Sequence, residues 1–576
     1  MLVTQILSAM TVMICMLVDS IMIGRFLGVD SMTAYGLATP VLLVFAAFGS
    51  MLSAGIQVMC GKTMGSGDMK ATNGCFSVSV FLAAAVSLLG LLAVLVFASP
   101  ICTLLGAGRP TPDNTVFFLT RDYIRGFIIG APAFIFAQIM VPYMQISGSR
   151  ARLVAAVIAM TVSDVLLDVL NVFVIKGGTL GMGLASSISY YIAFFIGIAY
   201  FFKKNCIFKF RAALIKMKRC FELIKYGIPT VINQISLVLL VFVLNKVLIE
   251  VGQNLAVAAY SVISTVGNIC YCFGSGVAAV ALLLSSMFYS DEEKSALHAL
   301  VKTMTFYAVA LDIAVTVAVL LAAPVLVSLF LDNPAAKDMA ILGLRLFSLS
   351  LLPCSLNTTF KNYYQGVNKT GFTQAISVMQ NFAFTAIFAF VLSRFIGTTG
   401  VWLAYVCGET LTFIVITAVV WINCKKVSFS TDAYSLLPAH FGANEGDFIE
   451  TTVKTAGEVV RASEEATDFC LRHGESDRDS RLISLCIEEM ANNIVEHGFS
   501  KDQRKDHEID IRLIFKDGRR LIRMRDNCVN FDPVAYMELH KTDDPTVHIG
   551  IRLVMKMVKD ANYVSSLGLN NLTLIL

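Results

Sequence analysis

Charge is scarce in this sequence: only 15% of its 576 residues are charged, 56% are hydrophobic, and mean hydropathy is +0.72. A soluble domain is nearer a quarter charged and half apolar, so the chain is not a soluble globular protein throughout. No HExxH and no GxxxxGK[ST] occurs, which leaves a zinc protease and a Walker-type pump without support. The fourteen cysteines form no CxxC, and several sit inside apolar runs, where they read as small packed hydrophobes in a reducing environment. The opening "MLVTQILSAMTVMICMLVDSIMIG" has no basic stretch and no small-residue cleavage site, so it reads as a first membrane helix rather than a signal peptide.

What charge exists is placed unevenly. Of 41 acidic residues, 16 precede Lys425 and 41 − 16 = 25 follow it, and six of the seven histidines lie at or beyond His440. This divides the chain into a membrane region of about 425 residues and a soluble region after it. A helix needs about 20 apolar residues to cross the hydrocarbon. On that measure about twelve spans are expected, near 1–23, 36–60, 74–100, 116–143, 153–175, 181–202, 222–250, 255–288, 299–323, 339–364, 372–394 and 400–423.

If residue 1 is cytoplasmic, the inner loops carry Lys62, Lys70, Arg150, Arg152, Lys294, Lys302, Lys369 and the basic run "KKNCIFKFRAALIKMKR" (203–219). The outer loops carry only Arg25, Arg109, Arg121, Lys176, Lys337 and Arg394. The positive-inside rule then puts both termini in the cytoplasm of a plasma membrane, in a cell read as bacterial.

The basic run also halves the spans. "AYGLATPVLLVFAAFGS" (34–50) aligns with "AYSVISTVGNICYCFGS" (259–275). "GFIIGAPAFIFAQIMVPYMQ" (126–145) aligns with "FSLSLLPCSLNTTFKNYYQG" (347–366), pairing Pro132 with Pro353. "GMGLAS" (181–186) aligns with "GVWLAY" (400–405), and all the offsets are near 220. The expected units are therefore 1–202, a basic loop 203–221, 222–425, a polar linker 426–446 and a soluble domain 447–576. Two six-helix repeats imply a transporter with its site between them.

Ionisable residues within spans are costly and mark function by default. Asp19 closes the first span, and Asp164 and Asp168 are four apart and share a face of the fifth. Three carboxylates facing one cavity could take H+ or Na+ in competition with a substrate. Asp312 and Glu409 also fall inside spans but carry no motif, and Pro132 and Pro353 read as helix kinks.

"VDSIMIGRFLG" (18–28), "MGSGD" (64–68), and "SDVLLDVLNVFVI" followed by "GTLGMGLASS" (163–187) together resemble the multidrug and toxic compound extrusion (MATE) family over residues 1–425. The resemblance implies an antiporter that exports amphipathic cationic small molecules from a lipid bilayer. It places Asp19 and Asp168 where relatives carry cation-coupling acids, and Asp164 where many have Asn. The extra residues and proline that usually precede the family's first helix are not seen before Met1.

In the soluble region, "DFIETTVKT" alternates like a strand, helices are expected at 456–473 and 479–497, and "HEIDIRLIFKDGRRLIRMRDN" alternates around Asp517-Gly518 as a hairpin. A helix at 549–560 and a strand pair follow, which outlines an α/β sandwich. Within it, "CIEEMANNIVEHGFS" (486–500) puts Glu489 and Asn493 on one helix face, suited to polarise water and to hold Mg2+. "RDNCVNFDP" supplies Asp526 at a strand end as an acceptor for an adenine amino group, and "HIGIRLV" supplies Gly550 at a helix start, where amides could meet phosphate.

These pieces in this order resemble the GHKL ATPase fold, in its anti-sigma-factor serine-kinase branch, over residues 450–576. The resemblance implies ATP with Mg2+ as cofactor, Asn493 as the metal-side residue, and Glu489, Asp526 and Gly550 at the nucleotide. Cys528 stands where that family usually has Gly, and Arg552 replaces a phosphate-loop Gly. The reading is of a transporter with an ATP-binding regulatory domain. The rival is a membrane signalling protein whose tail phosphorylates serine on a cytoplasmic partner. No nucleic acid is expected. A flexible linker of about 20 residues spans roughly 25 Å, so the tail is expected to reach the basic loop 203–219.

Overall fold

The computed structural model describes every residue except 1, 66–67, 106, 148, 204–205, 331–333, 426, 428–429, 439–440, 444–445, 500–505, 517, 530, 540–548 and 567–568. Parts of several stretches quoted above, including 66–67 of "MGSGD", Asp517 of the expected turn and His548, lie outside the described residues.

Helix dominates as far as Cys424. Among the described residues nine helices are long and apolar enough to cross a membrane. Two bent pairs raise the number to eleven if each is one span. Leu2–Met22, where the first span was expected, is one further helix. It ends in a wide π-type turn, Ile23–Leu27, and Gly28 then takes φ +88°, a conformation that favours glycine.

The bent pairs are Thr115–Ile128 with Ala131–Ile146, and Pro334–Ser348 with Leu351–Gly366, bent by 46° and 45°. Pro132 and Pro353 lie in the first turn of each second helix, where a missing N–H costs nothing but the preceding helix cannot run on. Both second helices have 16 residues and start 351 − 131 = 220 residues apart, so the sequence offset reappears as a repeated bend. One expectation fails locally. Helical backbone runs unbroken from Met217 to Ser290, so no loop separates the spans Met217–Gly252 and Leu255–Ser290. Its only proline is Pro229, and one glycine at 252 is too weak a signal to end a helix.

The tail is two layers. Strands β1 (Phe448–Val453), β2 (Ile509–Lys516), β3 (Arg519–Asp526), β4 (Asp560–Ser566) and β5 (Leu569–Ile575) form one antiparallel sheet in the order β1-β2-β3-β5-β4. Alternation sends Ile509, Ile511, Leu513, Ile522, Met524, Leu572 and Leu574 to one face. There they bury against helices Ala456–Arg472, Asp477–Asn493 and Ile549–Met557. Thr455 and Glu458 close a full capping box at the first of these.

The stretch read as a polar linker is a buried strap. Tyr434 and Leu436 sit in an apolar cluster of the second membrane half. The Tyr363 and Tyr364 hydroxyls donate to the carbonyls of Ser435 and Tyr434 at 3.2 and 3.0 Å, and Phe441 stacks on Tyr289. Those aromatics were hidden among polar neighbours, which is why the segment read as a flexible tether.

Candidate functional site

Three helices of the first half bring the predicted acids together. Asp19 comes from Leu2–Met22, and Asp164 and Asp168 come from Arg150–Leu170. All three are buried. Helix Gly178–Phe201 supplies hydroxyls: Ser189 Oγ donates to Asp164 Oδ1 at 2.9 Å, and Ser186 Oγ to Asp19 Oδ2 at 3.4 Å. Neither oxygen of Asp168 nor Asp19 Oδ1 finds a donor.

Asp19 and Asp168 are within bonding reach of each other, so one shared proton or one small cation would serve both. Tyr35, Tyr123 and Tyr190 surround the group closely enough to feel its charge, and the Cys15 thiol reaches Asp164. Directly after Asp168 the helix widens into a π-turn, Asn171–Ile175, closed by the Asn171 side chain on Gly177 N and Gly178 O, each at 3.1 Å. Such turns gather at functional sites. The serines, tyrosines and Cys15 were not picked out from sequence. The signal available was the small-polar run "ASSISYY" (185–191), one helix away from the acids.

The second half is built differently. Asn357 Nδ2 donates to Glu409 Oε2 at 2.8 Å, and Lys361 Nζ donates to Asn233 Oδ1 at 2.6 Å and Gln380 Oε1 at 3.0 Å. Gln380 Nε2 passes the chain on to Thr358 Oγ1 at 2.9 Å. Lys361 and Gln380 were missed; a lysine inside an otherwise polar-tolerant span was the available sign. Asp312 stands apart from this network, with Oδ2 unpartnered.

The tail meets the membrane region through the open face of its sheet. Arg523 pairs with Asp291 at 2.6 Å and with Glu293 at 3.5 Å, and Arg525 pairs with Asp291 at 3.3 Å and with Glu293 at 2.8 Å. Lys516 pairs with Glu292, and Val564 of β4 is buried in the apolar cluster of the first half. Residues 291–293 form the turn between two second-half spans. The ion pairs that hold the tail are of the opposite sense to the expected acidic tail on basic loop 203–219: basic strands meet an acidic turn, and Val564 shares an apolar cluster with Cys206 and Phe208 of that loop. Burial, with Glu293 close by, pushes Asp291 up to about 7. At Glu293 burial acts the same way but is outweighed by Arg525 and Arg523, which hold its carboxyl below the usual range.

In the tail the four nucleotide candidates lie around one helix end. A Cβ on Gly550 would collide with the Glu489 carboxylate, so glycine there is what allows the two to abut. Asn493 Nδ2 donates to Glu489 O at 2.6 Å. Asp526 closes β3 on the helix-covered face, where its Oδ1 accepts from Cys528 N at 2.9 Å and Asn570 Nδ2 at 2.8 Å. Burial raises its carboxyl above the ordinary range, and the Cys528 thiol lies 4.0 Å from His507 Nδ1. Cys528 in turn packs against Gly498 at the end of the Glu489 helix. The chain's own groups thus already engage Asp526 in part. Among the described residues no cluster of three His, Cys, Asp or Glu could hold a metal by itself, so a metal there would depend on phosphate oxygens for most of its ligands.

Comparison with known proteins places the membrane region. The multidrug export protein MepA of Staphylococcus aureus is 22% identical over 402 residues, covering 69% of this chain and 87% of that protein. MepA of Staphylococcus saprophyticus is 22% identical over 401 residues with the same coverage. A crystal structure of MATE in complex with MaL6 superposes with a TM-score of 0.67 at 19% identity, covering 72% of this chain and 92% of that one. A MOP superfamily transporter from Pyrococcus furiosus gives 0.66 at 18%, with the same coverage. The fold is thus that of a helical, multi-pass membrane transporter. The family model described as MatE matches residues 5–170 and 229–391, more than half of the sequence, and the chain belongs to that family.

Proposed function

We propose that the chain is an antiporter that exports amphipathic cationic small molecules in exchange for H+ or Na+, with both termini in the cytoplasm. The observation that carries this is the first-half acid cluster, where three buried carboxylates leave three oxygens without donors and no lysine or arginine pairs with them among the described residues. Such a group has to take up a cation, either the coupling ion or the substrate. The similarity to the multidrug export protein MepA supports the substrate class. Orientation is supported by the basic residues: Lys62, the 203–219 run and the docked tail lie on one face, where Ser290 Oγ donates to Lys62 O at 2.5 Å and Lys209 N to Asn73 Oδ1 at 2.8 Å. The test is efflux of a lipophilic cation from proteoliposomes under imposed proton or sodium gradients. Efflux driven by neither gradient would overturn the coupling.

The tail is proposed to bind ATP with Mg2+ and to regulate rather than drive transport. Support comes from Glu489, Asn493, Asp526 and Gly550 around one helix end, and from the docking of the same domain on the 291–293 turn. The rival, a serine kinase acting on a partner, is favoured by the same four residues but not by the docking. ATP affinity of the full chain, measured with and without a transported cation, separates the two, because coupling between sites is reciprocal.

A further inference from the structure

A cavity lies in the first half, and none of the three carboxylates lines it. Its volume is about 380 Å³, within the range of small-molecule pockets. Its walls are almost wholly apolar and come from the start of helix Met69–Val96, the end of Ala131–Ile146, the end of Gly178–Phe201 and the basic loop. Phe76, Tyr143, Phe201 and Phe208 line it and hold one another: Phe76 stacks on Phe201 and Phe208, and Tyr143 meets Phe208 edge-on at 4.8 Å.

The polar group in that wall is already satisfied. The Tyr143 hydroxyl shares a hydrogen bond of 2.9 Å with Ser79 Oγ, so the interior offers nothing to a polar ligand. The loop that forms one wall is fixed in place by Lys209 N on Asn73 Oδ1 and Arg211 N on Ser77 Oγ, at 2.8 and 2.9 Å. Lys203 and Lys209 also line the cavity. Both are exposed, and no ion pair engages either among the described residues. Phe202 and Phe210, beside them, are 82% and 53% exposed, as suits side chains that enter lipid.

We propose that this cavity is a binding site for one anionic phospholipid, with an acyl chain among the aromatic rings and the phosphate against Lys203 and Lys209. The chemistry is amphiphilic in the same sense on both sides, dry inside and cationic at the rim. The charge at the rim argues against the exported cation as occupant. Basic pockets between spans at an anionic leaflet attract acidic headgroups, with each lysine contributing measurably. The bound lipid would anchor the loop that joins the two halves. The proposal is independent of the export reading.

The test is native mass spectrometry of the full chain in neutral detergent, titrated with phosphatidylglycerol, phosphatidylcholine, soluble glycerol phosphate or tetraphenylphosphonium. Phosphatidylglycerol is expected to be retained about tenfold over phosphatidylcholine. Lys203→Gln with Lys209→Gln should bring the two lipids to parity, and Val80→Trp, which fills the cavity, should lower retention of both. Equal retention by the unaltered protein, or a preference that survives the lysine pair change, overturns the proposal. So does glycerol phosphate binding as well as the lipid, which would mark a free-anion site. Tetraphenylphosphonium binding that Val80→Trp abolishes would assign the cavity to the exported cation instead.

Discussion

Two groups of buried carboxylates occupy this molecule, and they are built in opposite ways. Asp19, Asp164 and Asp168 receive hydrogen bonds from the Ser186 and Ser189 hydroxyls and have no basic partner among the described residues. Asp291 and Glu293, equally buried, are each paired with both Arg523 and Arg525. A buried charge without a partner costs several kcal/mol, so it neutralises or binds a cation. Two buried carboxylates facing two guanidinium groups need no metal ion or substrate cation. The first arrangement can do chemistry; the second fastens two domains. The second-half network lies between them, with Glu409 held by Asn357 and linked through Gln380 to an internal cation, Lys361, two hydrogen bonds away.

The largest expected effect breaks the first arrangement. Asp168→Asn and Asp19→Asn should each lower gradient-driven efflux below about a tenth of the unaltered rate, since an amide can neither carry the proton nor share it with its neighbour. Expression and thermal stability should be kept, because no ion pair is lost. Efflux near the unaltered rate from either variant would remove that residue from the coupling step.

The next breaks the fastening. Arg525→Ala leaves Asp291 and Glu293 buried with half their cationic partners, and removing one member of a buried pair costs about 3–5 kcal/mol. That should release the tail, seen as rapid proteolysis near residues 442–446 and faster hydrogen exchange in β3. Substitution of Arg519, which is exposed, is the control. Unchanged protection in the Arg525 variant would mean that the strap and Val564 hold the tail without the ion pairs.

The fastening should also depend on pH. Asp291, raised to about 7 in the docked form, binds its proton more tightly there than in the open form, where a carboxyl titrates near about 4. Docking is therefore favoured at low pH and weakens as pH rises from about 4 to about 7. Glu293, held low, has the opposite effect, and its contribution is lost only as pH falls below about 4.3. Protection of β3 should be greatest near pH 5 and lower at pH 8, and Asp291→Asn should flatten the profile. A profile rising toward pH 8 would contradict this assignment.

The two carboxylate groups also differ in how far the sequence revealed them. Asp164 and Asp168 are legible because four-residue spacing puts them on one helix face and apolar neighbours make them conspicuous. The bends at Pro132 and Pro353 are legible for a similar reason, since proline acts on its own helix. Asp291 and Glu293 look like any turn between spans. The alternation of Arg523 and Arg525 along β3 shows that they share a face, but their partners lie more than 200 residues away. The strap escaped notice because Tyr434, Leu436 and Phe441 gain meaning only from the helices that cover them. Local periodicity was readable; contact between distant segments was not.

The smallest effects test whether the tail's site is occupied by the chain itself. Asp526→Ala should weaken ATP binding by about 1–3 kcal/mol, the cost of an adenine donor left unpaired in a buried site. Cys528→Gly should act in the other direction. It removes the side chain that packs on Gly498 beside the Asp526 carboxyl. With that bulk gone from beside Asp526, ATP should bind roughly fivefold tighter, about 1 kcal/mol. Asn570 still holds Oδ1, which keeps the carboxylate oriented. The measurement is calorimetric titration of the full chain with ATP and Mg2+ for the unaltered protein and both variants. Opposite shifts would show a nucleotide site partly filled by a cysteine. No binding at millimolar ATP in all three would end the nucleotide reading, and the tail would then stand as a docked structural domain whose known contact is the acidic turn at 291–293.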